Sequence, residues 1–209
     1  MTKIKISALF MTLAIILSLT GFTYAHWSDT IRINGKVKMA HILININSKK
    51  VLMSKGVQKY SSVEYNVTAD KHTLEIRSEN LRPCWYIWVG LVIQNEGTLP
   101  GKIKPPEYAF DPSDSWGNYF ETTEYFYGPY PENTGFGRLE VWGETKIDEQ
   151  LKSDGTVTFT TPSTPTPFTI NPTEKAVIWI WIHCKLDIPD DAQGDTITLY
   201  INIVDDIAI

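Results

Sequence analysis

The sequence predicts an all-β protein whose domain is a jelly-roll-like β-sandwich. Several segments alternate apolar and polar residues with a period of two, which is typical of strands with one buried face: residues 37–41, 42–47, 63–68 and 196–203. Two other runs, residues 85–93 and 176–182, are apolar throughout and rich in β-branched and aromatic side chains, as expected of central strands. Because no window shows a sustained helical period with caps, we expect strands and turns throughout.

The N-terminus has the organisation of a secretory signal peptide. Lys3 and Lys5 precede an apolar run of about 14 residues, which is shorter than the roughly 20 that span a bilayer. Small residues at Thr23 and Ala25 predict cleavage after Ala25. We therefore divide the chain into a cleaved signal peptide (1–25), an extended N-terminal strand (26–36) and one sandwich domain (37–209). An extended segment with a free end can pair with another molecule.

An aromatic-rich insertion interrupts the predicted strands at about residues 108–137. Its composition of Tyr, Trp, Phe, Gly, Pro, Ser and Asn predicts a long loop, which in a compact domain is either functional or packed on itself. Its rings suggest a sugar-binding platform or a lateral contact between fibres, or they bury one another. The candidate contact residues are Trp116, Tyr119, Tyr125 and Tyr127.

Composition and charge exclude several classes of protein. With 43% hydrophobic residues the chain can bury a core, unlike a disordered polymer. The net charge of −5 and the lack of a long basic run argue against nucleic acid and anionic lipid as partners. Cys84 and Cys184 could form a disulfide in an exported protein or remain as buried thiols. Asn66 heads an Asn-Val-Thr glycosylation sequon.

The sequence offers no catalytic constellation. None of the four histidines has the spacing of a zinc protease, and Gly-x-Ser-x-Gly is absent. His183 is read as a structural histidine, and His26, which cleavage would place at the new terminus, as a weak copper ligand. An acidic turn is read as solvated, with calcium as the alternative; its carboxylates are Asp187, Asp190, Asp191 and Asp195. We therefore expect neither an enzyme nor a bound cofactor.

Three segments resemble the TasA/camelysin group of secreted fibre proteins. Residues 25–30, Ala-His-Trp-Ser-Asp-Thr, are similar to the junction that follows the signal peptide in that group. Residues 89–100 resemble its apolar strand that ends in Asn-x-Gly-x-x-Pro. Residues 178–204 resemble its C-terminal pair of strands, joined by an acidic turn. Tryptophan at position 27, where many relatives have phenylalanine, resembles the sequences of the archaeal bundling-pilus branch.

The resemblance implies a subunit of an extracellular biofilm fibre. In such fibres the segment after the cleavage site completes a sheet of the next subunit, which is donor-strand complementation. The donor residues would be His26, Trp27, Ser28, Asp29, Thr30, Ile31, Arg32, Ile33 and Asn34. The expected partners are further copies of the chain and neighbouring filaments in bundles, without nucleic acid and without membrane after cleavage. Some relatives are labelled metalloproteases, but this chain lacks a recognisable zinc motif.

Two other functions remain open from the residues alone. One is a monomeric cell-surface module that binds carbohydrate or protein through the aromatic insertion. The other is an exported metalloprotein, built either on a copper site at His26 or on a protease centre.

Overall fold

The computed structural model describes residues 10–18, 40–111, 114–135, 137–152, 163–186 and 196–207. The chain divides into two units, residues 1–39 and 40–209. In the first unit residues 10–18 form helix α1. No helix within the described ranges is long and apolar enough to cross a membrane. The predicted cleavage site and donor strand, residues 25–36, lie outside the described residues.

The second unit is a β-sandwich, which confirms the predicted all-β fold. Sheet A contains, in spatial order, β1 (Ile44–Met53), β4 (Tyr86–Asn95), β9 (Lys175–Cys184) and β7 (Phe120–Tyr130). Sheet B contains β2 (Val63–Val67), β3 (Thr73–Ser78), β10 (Ile197–Asn202) and β6 (Glu107–Asp111). A small sheet C contains β11 (Asp205–Ile207), β5 (Gly101–Ile103) and β8 (Phe168–Ile170). All of these pairings are antiparallel.

The central strands β4 and β9 are buried on both faces, which explains why their sequences do not alternate. Val89 pairs with Ile180, and both side chains belong to the inner core between the two sheets. Trp88 and Trp179 belong to a second core on the outer face of sheet A. Gly90 is required there, because a Cβ atom at this position would lie 2.7 Å from the Trp179 ring.

The expectation of no helices is wrong, because two short helices flank sheet A. Helix α2 (Lys55–Tyr60) begins at Ser54, whose hydroxyl accepts a hydrogen bond from the Val57 N–H. Helix α3 (Glu144–Lys152) covers the outer core through Ile147 and Leu151, one turn apart. Six and nine residues with so few apolar positions are too short to display a helical period.

The prediction that the aromatic insertion at residues 108–137 forms a long loop is also wrong, because most of this segment belongs to the sandwich. It forms the end of β6, the 3-10 helix η1 (Asp114–Tyr119) and β7. Trp116 and Tyr127 are only 8% and 2% exposed, so neither presents a ring to a neighbouring filament. Tyr119 and Tyr125 are half-buried. The turn-forming residues of this segment predicted a loop. In the structure β7 is a strand whose side chains pack in both the inner and the outer core.

Candidate functional site

The two lateral sides of the sandwich differ in how they are closed. On one side β6 and β7 end the two sheets, and side chains join them. The Tyr108 hydroxyl donates to Glu124 Oε1 at 2.6 Å, and the Phe110 and Phe120 rings stack with centroids 5.2 Å apart. Burial, and then the Glu124 carboxylate, raise the pKa of Tyr108 well above its usual value. This side is therefore sealed by an aromatic and hydrogen-bonded seam.

On the opposite side β1 ends sheet A, and among the described residues the outward main-chain groups of Lys49 and Val51 have no backbone hydrogen-bond partner. The Asn95 N–H donates to Glu174 O, in the chain that leads into β9. The main-chain groups of successive strand residues point to opposite sides, so those of Gly90, five residues before Asn95, point toward β1. Gly90 pairs with Lys50, and the neighbouring residues Lys49 and Val51 therefore direct their N–H and C=O groups away from sheet A. A free strand edge of this kind is a template for another strand.

The facing edge of sheet B is strand β2, and it is arranged in the same way. The Thr68 N–H donates to Thr73 O at 3.0 Å, so alternation turns the main-chain groups of Tyr65 and Val67 away from β3. The Tyr65 side chain is 37% exposed. Within the described part of the chain, no backbone hydrogen bond joins β1 to β2.

A cleft of about 490 Å³ lies between these two edges, and we call it the β1–β2 cleft. It is lined by Ile46, Asn47, Ser48, Lys49, Val67, Thr68, Ala69 and Lys71. At one end the Ile46 N–H donates to Lys71 O at 2.8 Å, which joins β1 to the β2–β3 turn. Helix α2 follows β1 in the chain and leads to β2, with Val57 in the inner core. The cleft is thus an opening of limited length.

The β1–β2 cleft is cationic. Among the residues that the structure describes, its charged lining residues are Lys49 and Lys71, and none of its lining residues is a carboxylate. Lys49 is half-buried, and its Nζ donates to Asn66 Oδ1 on β2 at 3.2 Å. The ammonium group therefore bridges the opening through a neutral acceptor.

Next to β1, the Asn-x-Gly-x-x-Pro motif forms a rigid turn around Asn95. This side chain is fully buried, and its amide donates to Leu99 O at 2.8 Å and Ile170 O at 3.0 Å. Its Oδ1 accepts from the Gly97 N–H at 2.9 Å. Asn95 thus satisfies its buried polar atoms while joining three segments of chain.

This turn clamps the chain at the point where the second unit begins. The Thr98 and Leu99 N–H groups both donate to His41 O, at 2.8 and 3.1 Å, and the Glu96 N–H donates to Leu43 O at 2.7 Å. Gly97 is required, since a Cβ atom there would lie 2.5 Å from His41 O. The turn therefore fixes the position of residues 41–43.

Cys84 and Cys184 are neighbours, although their side chains diverge. The Cys84 N–H donates to Cys184 O at 3.2 Å, but Cys84 is exposed and Cys184 lies in the inner core. The two cysteines are not bonded to each other, so the structure does not contain the disulfide that the sequence allowed. Asn66 is exposed, as a glycosylation acceptor must be, and its modification stays a prediction.

No metal centre is found where the structure describes the chain. Among those residues no group of three or more His, Cys, Asp or Glu side chains could hold an ion. His183 stacks on Trp181 with ring centroids 5.0 Å apart, while Cys184 points to the opposite face. His26 and the calcium candidates Asp187, Asp190, Asp191 and Asp195 lie outside the described residues.

Sequence reasoning did not identify Lys49 or Asn95 as residues of interest. The Asn-x-Gly-x-x-Pro motif around Asn95 could have indicated the turn. Nothing in the sequence distinguishes Lys49 from other strand lysines until the structure places its strand at a sheet edge.

A scan against protein-family models finds no match for this chain. No curated protein matches it either.

Proposed function

We propose that this chain is an exported structural subunit that polymerises by donor-strand complementation into an extracellular filament at the cell surface. The observation that carries the proposal is the β1–β2 cleft, where two strand edges face each other with outward main-chain groups. In this proposal residues 26–34 of one subunit enter the cleft of the next. The role is structural, and we assign no catalytic activity and no cofactor.

The anchored turn gives the proposed donor a short tether. Residues 35–40 separate the donor from His41, which Thr98 and Leu99 hold in place. Six extended residues reach at most about 20 Å. A tether of this length favours a defined geometry between successive subunits, because it restricts where the donor can go.

Strand addition also explains why the interaction would propagate. The donor would supply main-chain hydrogen bonds to Lys49 and Val51 and apolar side chains to the space between the sheets. Donor and acceptor are different surfaces of one subunit, so each addition leaves a new free cleft. A head-to-tail contact that does not close into a ring produces a filament.

Negative-stain electron microscopy and size-exclusion chromatography of residues 26–209 test the proposal. We expect filaments from this protein and folded monomers from a variant that lacks residues 26–34. Circular dichroism on the deletion variant separates loss of assembly from loss of folding. Filaments from the deletion variant would refute the donor assignment.

A peptide of residues 26–34 provides a second test in trans. We expect it to raise the Tm of the deletion variant, since a ligand that binds only the folded state stabilises it. A scrambled peptide of the same composition is the matched control. If the peptide binds but residues 26–209 remain monomeric, the donor fills the cleft of its own subunit, and the filament proposal fails.

A further inference from the structure

The β1–β2 cleft contains a cation whose only hydrogen bond to a described residue is to a neutral group. Lys49 Nζ contacts Asn66 Oδ1 at 3.2 Å. A carboxylate in place of the amide would give a stronger, charge-assisted hydrogen bond. The described lining of the cleft contributes Lys71 as a second cation and no anion. An occupant that carries a carboxylate on its inward face would therefore fit better than a purely apolar one.

The side chain of Lys49 starts on the inward face of β1 and not on the outer face of sheet A, and its ammonium reaches the exposed Asn66 side chain at the edge of the opening. Along β1, Val51 contributes to the inner core and Leu52 to the outer core. Alternate residues of a strand share a face, so Lys49, Val51 and Met53 form one inward row. Lys50 is on the other face, where it forms a 3.3 Å salt bridge with Glu144 of α3.

The proposed donor carries a matching row in its sequence. As an extended strand it would present Trp27, Asp29, Ile31 and Ile33 on one face. Asp29 is the only charged residue of that row. Read along the chain, Asp29, Ile31 and Ile33 give the order acidic, apolar, apolar. Lys49, Val51 and Met53 give the order basic, apolar, apolar in the same chain direction.

We infer that Asp29 of one subunit pairs with Lys49 of the next and fixes the register of a donor that runs parallel to β1. This inference rests on the proposed function. In this register Ile31 lies beside Val51 and Ile33 beside Met53. An antiparallel donor with the same ion pair would instead direct Ile31 and Ile33 away from the apolar part of the row. A shift of one residue would turn Asp29 away from the cleft.

Charge reversal gives a test in which two defective proteins rescue each other. We expect Asp29→Lys and Lys49→Glu each to raise the critical concentration for filament formation at least about tenfold, since like charges would meet in the cleft. An equimolar mixture should assemble normally. In the mixture each donor finds a cleft of opposite charge, and the filament must alternate the two subunits.

Matched controls place the same charges one residue away, on the other face of each strand. Thr30→Lys and Lys50→Glu should leave the critical concentration within about twofold of the parent. Lys50→Glu exchanges the ion pair with Glu144 for a like-charge contact, but this contact is on the outer face of sheet A, away from the cleft. Thermal unfolding, measured at a salt concentration that dissociates the filaments, confirms that every variant folds. Efficient assembly of Asp29→Lys alone, or failure of the mixture, would overturn the ion pair.

The direction of the donor has its own readout. In a Cys84→Ser background, cysteines at positions 33 and 53 should form an intersubunit disulfide, whereas cysteines at 27 and 51, which an antiparallel donor with the same ion pair would bring together, should not. The reverse outcome would overturn the parallel register. These failures are distinct from failure of the proposed function, because in that case the parent protein itself would form no filaments.

Discussion

The two lateral sides of the sandwich differ in how extensively side chains bridge the edges of the two sheets. Between β6 and β7, Tyr108, Glu124 and the stacked Phe110 and Phe120 rings bridge the sheets. Between β1 and β2 the described contacts are the Lys49–Asn66 hydrogen bond and the link from Ile46 to the β2–β3 turn. Side chains therefore hold the two sheets together on the sealed side, whereas on the open side the described outward main-chain groups of Lys49, Val51, Tyr65 and Val67 form no backbone hydrogen bond across the gap.

Phe120→Ala should give the largest loss of stability and tests the sealed side. The ring is buried, stacks on Phe110 and lies edge-on to Trp85 with centroids 6.1 Å apart. Removing such a side chain costs about 3–5 kcal/mol. The matched variant on the open side is Tyr65→Ala, for which we expect about 1 kcal/mol or less. Urea unfolding of the assembly-deficient monomer measures both, and equal losses would contradict the distinction between the sides.

Gly97→Ala tests the clamp that borders the open side. The new Cβ atom would meet backbone atoms of His41 and Leu43, which cannot move aside as a flexible side chain can. We expect a cost of about 1–3 kcal/mol from this overpacking. Hydrogen exchange at Glu96 and Thr98 should increase more than exchange within β9. Unchanged protection at these two amides would show that the turn does not hold residues 41–43.

Tyr108→Phe tests the hydrogen bond of the sealed side. It leaves the Glu124 carboxylate without its phenol donor, which costs about 1–3 kcal/mol. Glu124→Gln retains an acceptor and should cost less. Chemical unfolding of both variants at neutral pH ranks them, and a greater loss in Glu124→Gln would contradict the assigned roles.

The same tyrosine should make the protein sensitive to alkali. Because burial raises the pKa of Tyr108, its contribution is complete below about pH 10, where the phenol of the unfolded chain also keeps its proton. The contribution falls as the pH rises further, because only the unfolded chain ionises readily. Tm measured from pH 8 to 11 should therefore fall less steeply in Tyr108→Phe. Tyr127, whose pKa burial raises to about 12, adds the same trend in both proteins.

Asp70→Asn should have the smallest effect and belongs to the open side. The Thr68 hydroxyl and then the His72 N–H lower the pKa of the exposed Asp70 carboxyl. A lowered pKa gives stability that is present above about pH 4 and is lost as the pH falls toward the folded-state value. The Tm of the parent should therefore drop slightly more below pH 4 than that of Asp70→Asn. Identical acid profiles would show that this turn contributes nothing.

The parts of the fold that were predicted correctly depend on local patterns. Residues 85–93 and 176–182 could be identified as central strands because burial on both faces leaves no polar positions. The helices α2 and α3 were missed because each buries only one or two side chains. Strand β7 was read as a loop because its turn-forming residues obscured an alternation that serves both cores.

The sequence by itself determined that the chain is all-β, which strands are central, and that one of these apolar strands ends in the Asn-x-Gly-x-x-Pro motif. Only the tertiary structure decided that β1 and β2 face each other across an opening while β6 and β7 are bridged. The order of strands in a sheet depends on contacts between residues far apart in the chain, and alternation carries no information about them. Lys49 and Lys50 are neighbours on the same edge strand, and they differ only in the face of β1 on which the fold places them.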